Sequence, residues 1–154
     1  CLVLDGTDAK TLRARIFNTS NQPQVFLHEA LLQPTELSLV SRNEKKVPFG
    51  NERRIMKFDN TLYRRLYRTL GPGAERELGR ASFLRTGETY SMSWDAFRAD
   101  GIRPGTYRAQ LRLQHRSDRW VEGNIRDAAS ITRGVIPGIF KGTLVSNTLT
   151  ITLP

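Results

Sequence analysis

Cysteine, histidine and long apolar runs are what this chain of 154 residues has least of. Its single cysteine, Cys1, excludes an internal disulfide framework and any metal site built from paired thiolates. Its two histidines, His28 and His115, stand in no HExxH pair and beside no carboxylate cluster, so a zinc centre has no sequence support. No stretch approaches the roughly 18 consecutive apolar residues that a membrane-spanning helix needs. There is no GxSxG elbow, and Gly71, Gly73 and Gly79 match neither a phosphate loop nor a dinucleotide fingerprint. The carboxylate pairs Glu75/Glu77 and Asp95/Asp100 are what fifteen acids produce without design. The chain therefore reads as a non-enzyme, with no cofactor and no small-molecule substrate expected.

Acids are scarce relative to bases: 15 against 24, a formal net charge of +9. Five of the 24 bases are lysines, leaving nineteen arginines. Arginine grips carboxylate or phosphate with two parallel donors and stacks on aromatic faces, which suits it to contact surfaces. Such a charge favours nucleic acid, anionic headgroups or an acidic protein.

What the chain has in quantity is short alternating segments between turn clusters. Tyr107, Ala109, Leu111 and Leu113 share one face of a strand, and Arg108, Gln110 and Arg112 share the other. Thr11–Phe17 repeats the pattern with Leu12, Ala14 and Ile16 inward. Further strands are expected at Leu2–Leu4, Gln24–His28, Leu37–Val40, Val47–Phe49, Leu78–Leu84, Tyr90–Trp94 and Thr143–Leu153. Turns fall at Thr86-Gly87-Glu88, at Asp100-Gly101 and at Pro104-Gly105. This rhythm predicts an all-β chain: a single Ig-like antiparallel β-sandwich domain over residues 1–154. The predicted core includes Leu12, Ala14, Ile16, Leu37, Leu39, Trp94, Tyr107, Leu111, Leu149 and Ile151.

Two regions break the rhythm. Asn60–Leu70 spaces Leu62, Tyr63, Leu66, Tyr67 and Leu70 as a short amphipathic helix, although Leu66–Leu70 also fits a strand. Ser117–Lys141 shows no period and reads as one long irregular loop. The first region overlaps the densest charge. Arg53, Arg54, Lys57, Arg64, Arg65 and Arg68 face the single acid Asp59, with Phe58, Tyr63 and Tyr67 between them. These six cations are the candidate site for an anionic partner. A helix on headgroups, an acidic protein and stacked bases would all use such residues. Asn18-Thr19-Ser20 also fits a glycosylation acceptor.

The run Leu84-Arg85-Thr86-Gly87-Glu88, then Tyr90, Trp94-Asp95, Gly101, Pro104-Gly105 and Tyr107, resembles bacterial Ig-like sandwich domains, most of all the intracellular proteinase inhibitor type. The last strands, Gly142 to Leu153, are similar to those of secreted bacterial sandwich domains. The resemblance covers about a quarter of the chain and implies the fold. Thr86 stands where that family has proline before the turn glycine, and no inhibitory loop matches residue by residue.

Cys1 adds an expectation about location. A cysteine exposed as the mature N-terminus is how a processed bacterial lipoprotein looks, which makes Cys1 the candidate lipid-attachment residue. The other reading is that the chain is merely cut there. The expected function is a non-catalytic binding or accessory subunit of a bacterial cell-envelope assembly, periplasmic or membrane-anchored. It would have a protein partner, and a membrane surface reached through Cys1 and the basic residues. A proteinase-inhibitor-like module and a nucleic-acid-binding protein are the alternatives.

Overall fold

In a computed structural model the structure describes residues 1–8, 10–27, 35–51, 67–94, 97–115, 119–122, 129, 132–135 and 139–154. Along the chain these form β1 (Leu2–Asp8), β2 (Thr11–Phe17), β3 (Gln24–Leu27), β4 (Thr35–Ser41), β5 (Gly50–Asn51), β6 (Tyr67–Leu70) and β7 (Glu75–Thr86). There follow β8 (Thr89–Trp94), β9 (Phe97–Ile102), β10 (Gly105–His115), β11 (Arg119–Glu122), β12 (Thr132–Val135), β13 (Gly142–Val145) and β14 (Leu149–Leu153). The fold is all-β and sandwich-like, as the alternation predicts.

One sheet has the order β1-β2-β7-β8-β9-β5. In the other, β10 is central, with β4 on one side and β13 and β14 in succession on the other. Every ladder in both sheets is antiparallel. Leu2, Leu4, Leu12 and Ala14 of the first sheet and Leu37, Leu39, Ala109, Leu111 and Leu113 of the second are buried in one continuous cluster. Nine of the ten predicted core residues are buried there, and the tenth, Leu149, is partly buried against it.

In the second sheet β4, β10 and β14 lie side by side, and in the first β1, β2 and β7 do. Beyond β7 the first sheet continues outward as the meander β8-β9, and the chain returns to the second sheet from that far edge. The return is fastened by Tyr107, whose hydroxyl donates to Arg103 O four residues upstream at 2.7 Å. This is the tyrosine corner of sandwich domains. Burial raises the Tyr107 pKa, opposed by the nearby Arg103 charge. The hydrogen bond needs the neutral phenol, so its stabilisation is complete below pH ~10, the unfolded value. It is lost as pH rises through the raised folded value. Tyr107→Phe is expected to cost about 1 kcal/mol in urea unfolding at neutral pH. The variant should also show a flatter alkaline stability profile than the parent.

Several expectations change. Of the two readings of the end of the 60–70 segment, the strand holds: Tyr67–Leu70 are β6, paired with β3 from Gln24↔Leu70 to Leu27↔Tyr67. The rest of that prediction lies outside the described residues. The 117–141 loop contains the antiparallel ribbon β11-β12. Asp100-Gly101 is no turn: β9 continues through it, with Gly101 at φ 68 and a register shift between Tyr90 and Met92. The glycine absorbs a left-handed residue inside a bulged strand.

Candidate functional site

Cys1 extends the β1-β2 ladder by one residue. Its terminal ammonium donates to Phe17 O and its own carbonyl accepts from Phe17 N, both at 2.8 Å. Partial burial lowers the pKa of that amine. Cys1 is exposed, with a free thiol.

The next residue of β2's line, Asn18, ties this end of the sandwich together. Its Nδ2 donates to Gln22 O at 2.7 Å and to Leu70 O at 2.8 Å, while its Oδ1 accepts from Ser20 N and Ser20 Oγ. Its backbone bonds Ala74 and Gly73. Asn18 is only 5% exposed, so the amide that a glycan would need is committed and buried in the folded chain.

Through Leu70 the knot reaches β6 and its partner β3. The opposite edge of β3 carries a parallel bridge, Val25↔Ile139, and Phe140 N donates to Val25 O at 2.9 Å. The two regions that broke the strand rhythm thus attach to opposite edges of one four-residue strand. Of the six predicted cations, Arg68 is described: it is half-buried on β6 and donates from Nη1 to Tyr67 O. Arg53, Arg54, Lys57, Arg64 and Arg65 lie outside the described residues, between β5 and β6. Cys1 and Arg68 are brought to the same end of the molecule through Phe17, Asn18 and Leu70.

Elsewhere the surface charge is divided. On the outer face of the first sheet Arg13 and Arg15 clasp Asp5 at 2.9 and 2.6 Å, and Arg15 also reaches Glu75 at 2.9 Å. Arg80 pairs with Glu77, and Arg98 with Asp100. The Arg15 guanidinium lies 5.0 Å over the Phe17 ring. Hydrogen bonding to Arg13 holds the Asp5 carboxyl below its usual range; desolvation opposes it, and the weaker effects of the Arg15 hydrogen bond and of both arginine charges add to the lowering. Among the described residues of these ion pairs four cations face four anions, so their charges balance. On the second sheet and its β4 turn, Arg42, Lys45, Lys46, Arg108 and Arg112 stand with Glu36 and Glu44, five against two. Among these described residues only Arg108 is in an ion pair, with Glu44.

The sequence reading missed this second basic surface. The outward places of Arg108 and Arg112 were visible in the alternation, but the register Arg108↔Val40 that brings the 42–46 turn beside them was not. His115 ends β10, and His28 lies outside the described residues. Among the described residues no group of histidine, cysteine or carboxylate side chains could hold a metal ion. No described helix is long and apolar enough to cross a membrane. No family model, curated protein or solved structure matches the chain.

Proposed function

We propose that this protein is a non-catalytic docking module that binds an acidic protein partner through the basic segment 53–68. The observation that carries the reading is the mount of that segment. At one end β5 is paired to β9, and at the other β6 is paired to β3, whose far edge holds Ile139. A cation-rich stretch fixed at both ends to a β-framework presents charge with less ordering cost than a free tail. The division of surface charge supports it, because the described arginines of the first face are held in ion pairs.

The envelope location is a companion reading. An acyl group on Cys1, which intact mass of native protein would show as an excess over 17.5 kDa, would turn the Cys1 end toward headgroups. An acylated nitrogen keeps one N–H, enough to retain the bond to Phe17 O.

The test is retention on immobilised poly-glutamate, beside poly-dT and vesicles containing phosphatidylglycerol. Replacing Arg53, Arg54, Lys57, Arg64 and Arg65 together with Gln is expected to weaken poly-glutamate binding at least ~10-fold, about 1.4 kcal/mol. Replacing Arg13 and Arg80 should leave it unchanged. Equal loss in both variants would show a diffuse charge effect and remove the reading. Tight poly-dT binding with a steep salt slope would transfer it to nucleic acid.

A further inference from the structure

Independently of the basic segment, the strand edges of the sandwich differ in how they are closed. The free flank of β4 is taken by its own turn, where Val47 N donates to Leu39 O and Val40 bridges Lys46. The flank of β1 is capped at Leu4 by the Asn147 amide, which donates to Leu4 O at 2.9 Å and accepts from Leu4 N at 2.8 Å. β9 is covered at one end by β5 and bulged at Gly101. The outer flank of β13, Gly142-Thr143-Leu144-Val145, carries no such device: no proline and no charge. No other described strand pairs with it.

The register shows which groups that flank offers. Ser146 N donates to Leu111 O, so Ser146↔Leu111 is a bonded position of the ladder with β10. Bonded and non-bonded positions alternate in an antiparallel pair. Leu144↔Leu113 is therefore bonded, and Val145↔Arg112 and Thr143↔Gln114 are not. The N–H and C=O of Thr143 and Val145 thus point away from β10, and no described residue meets them. Val145 is also one of the large apolar side chains left open, 51% exposed.

We propose that β13 is a self-pairing edge, joining two copies of this chain antiparallel about a two-fold axis through Leu144. In that register Thr143 of one copy lies opposite Val145 of the other, and both are residues with outward backbone groups. The dyad repeats the pairing, giving four N–H···O=C bonds and placing Val145 against a β-branched Thr143 on the exposed face. No like charges meet. The row across the junction reads Glu36-Arg112-Val145 and then Thr143-Gln114 of the second copy. The two Arg112 side chains fall in different rows. They lie about 16 Å apart, across three strand spacings and two residues along the strands, beyond the ~8 Å Debye length of physiological salt. A second copy fits this flank better than an acidic or basic peptide, because the strand offers neither sign of charge. So short a junction makes a weak association.

Sedimentation of the 154-residue chain between about 10 μM and 1 mM should show the weight-average mass rising from 17.5 kDa towards twice that value. Over the same range, exchange of the Thr143 and Val145 amides should slow at least several-fold. Val145→Pro removes an outward N–H without taking a bond from the β10 ladder, the position at which an edge strand tolerates proline. Thr143→Lys leaves the backbone intact and sets a charge on the flank. Both variants should stay folded and remain at 17.5 kDa at every concentration. A parent that stays monomeric to about 1 mM overturns the proposal, as do variants that associate like the parent. So does protection of these amides at constant mass, which would place a segment of the same chain on the flank.

Discussion

Asn18→Ala is expected to lower the free energy of unfolding by about 3 kcal/mol, one of the two largest losses expected from a change of one polar side chain among the described residues. Alanine would leave the buried Leu70 carbonyl and the Gln22 carbonyl without their Nδ2 donor, and Ser20 N without its Oδ1 acceptor. Each buried polar group left unpaired costs about 1–3 kcal/mol, and water can reach the Ser20 end of the knot but not Leu70. Asn18→Asp should be at least as costly. It keeps the acceptor for Ser20 but turns a carboxylate oxygen toward two carbonyls. Urea unfolding should show the midpoint falling at constant m-value. Amide exchange should rise first in β6 and β3, since Leu70 is where that ribbon joins the sandwich. Uniform acceleration across β10 as well would mean that the knot acts on global stability alone.

The fold was legible where a strand's two faces differ. β2, β8 and β10 alternate buried and open residues, so period and direction can be read off Leu12, Ala14 and Ile16 or Tyr107 and Leu111 without a partner strand. β6 was not legible in that way. Tyr67 and Leu70 satisfy helical spacing, and what makes Tyr67–Leu70 a strand is pairing with β3, far earlier in the sequence. Local periodicity carries no information about such a pairing. β9 was lost because Gly101 reads as a turn until its neighbour strand shows it to be a bulge. For the candidate site, the type of residue was visible but its company was not. Arg13, Arg15 and Arg80 look in sequence like Arg112, yet the first two are clasped by Asp5 of the neighbouring strand and Arg80 by Glu77 of its own. Arginine counts therefore overstate the available charge on the first sheet. Asn18 showed the reverse error: it reads as a surface acceptor in Asn18-Thr19-Ser20, and its burial comes from Leu70 and Ala74, distant in sequence.

Ser146→Ala is expected to cost about 2 kcal/mol, and the neighbouring Asn147→Ala no more than about 1 kcal/mol, although each removes two side-chain hydrogen bonds. The sequence 143–153 reads as one strand, but the structure breaks it at 146–148 into β13 and β14. At the break Ser146 keeps the ladder closed. Its Oγ accepts from Leu111 N at 2.9 Å, in the place a strand carbonyl would take, and donates to Asn147 O at 2.7 Å. Ser146 is 5% exposed and Leu111 2%, so in the alanine variant the Leu111 amide has no route to water. Asn147 does equivalent chemistry on the flank of β1, but it is itself exposed, and solvent can replace its bonds to Leu4. Burial, rather than the number of bonds, decides the ranking. Ser146→Thr retains the hydroxyl and should recover most of the loss, which separates the missing acceptor from a packing effect. Thermal and urea unfolding of the three variants check the order. An Asn147→Ala cost equal to that of Ser146→Ala would mean that the β1 flank is as closed to water as the centre of the second sheet.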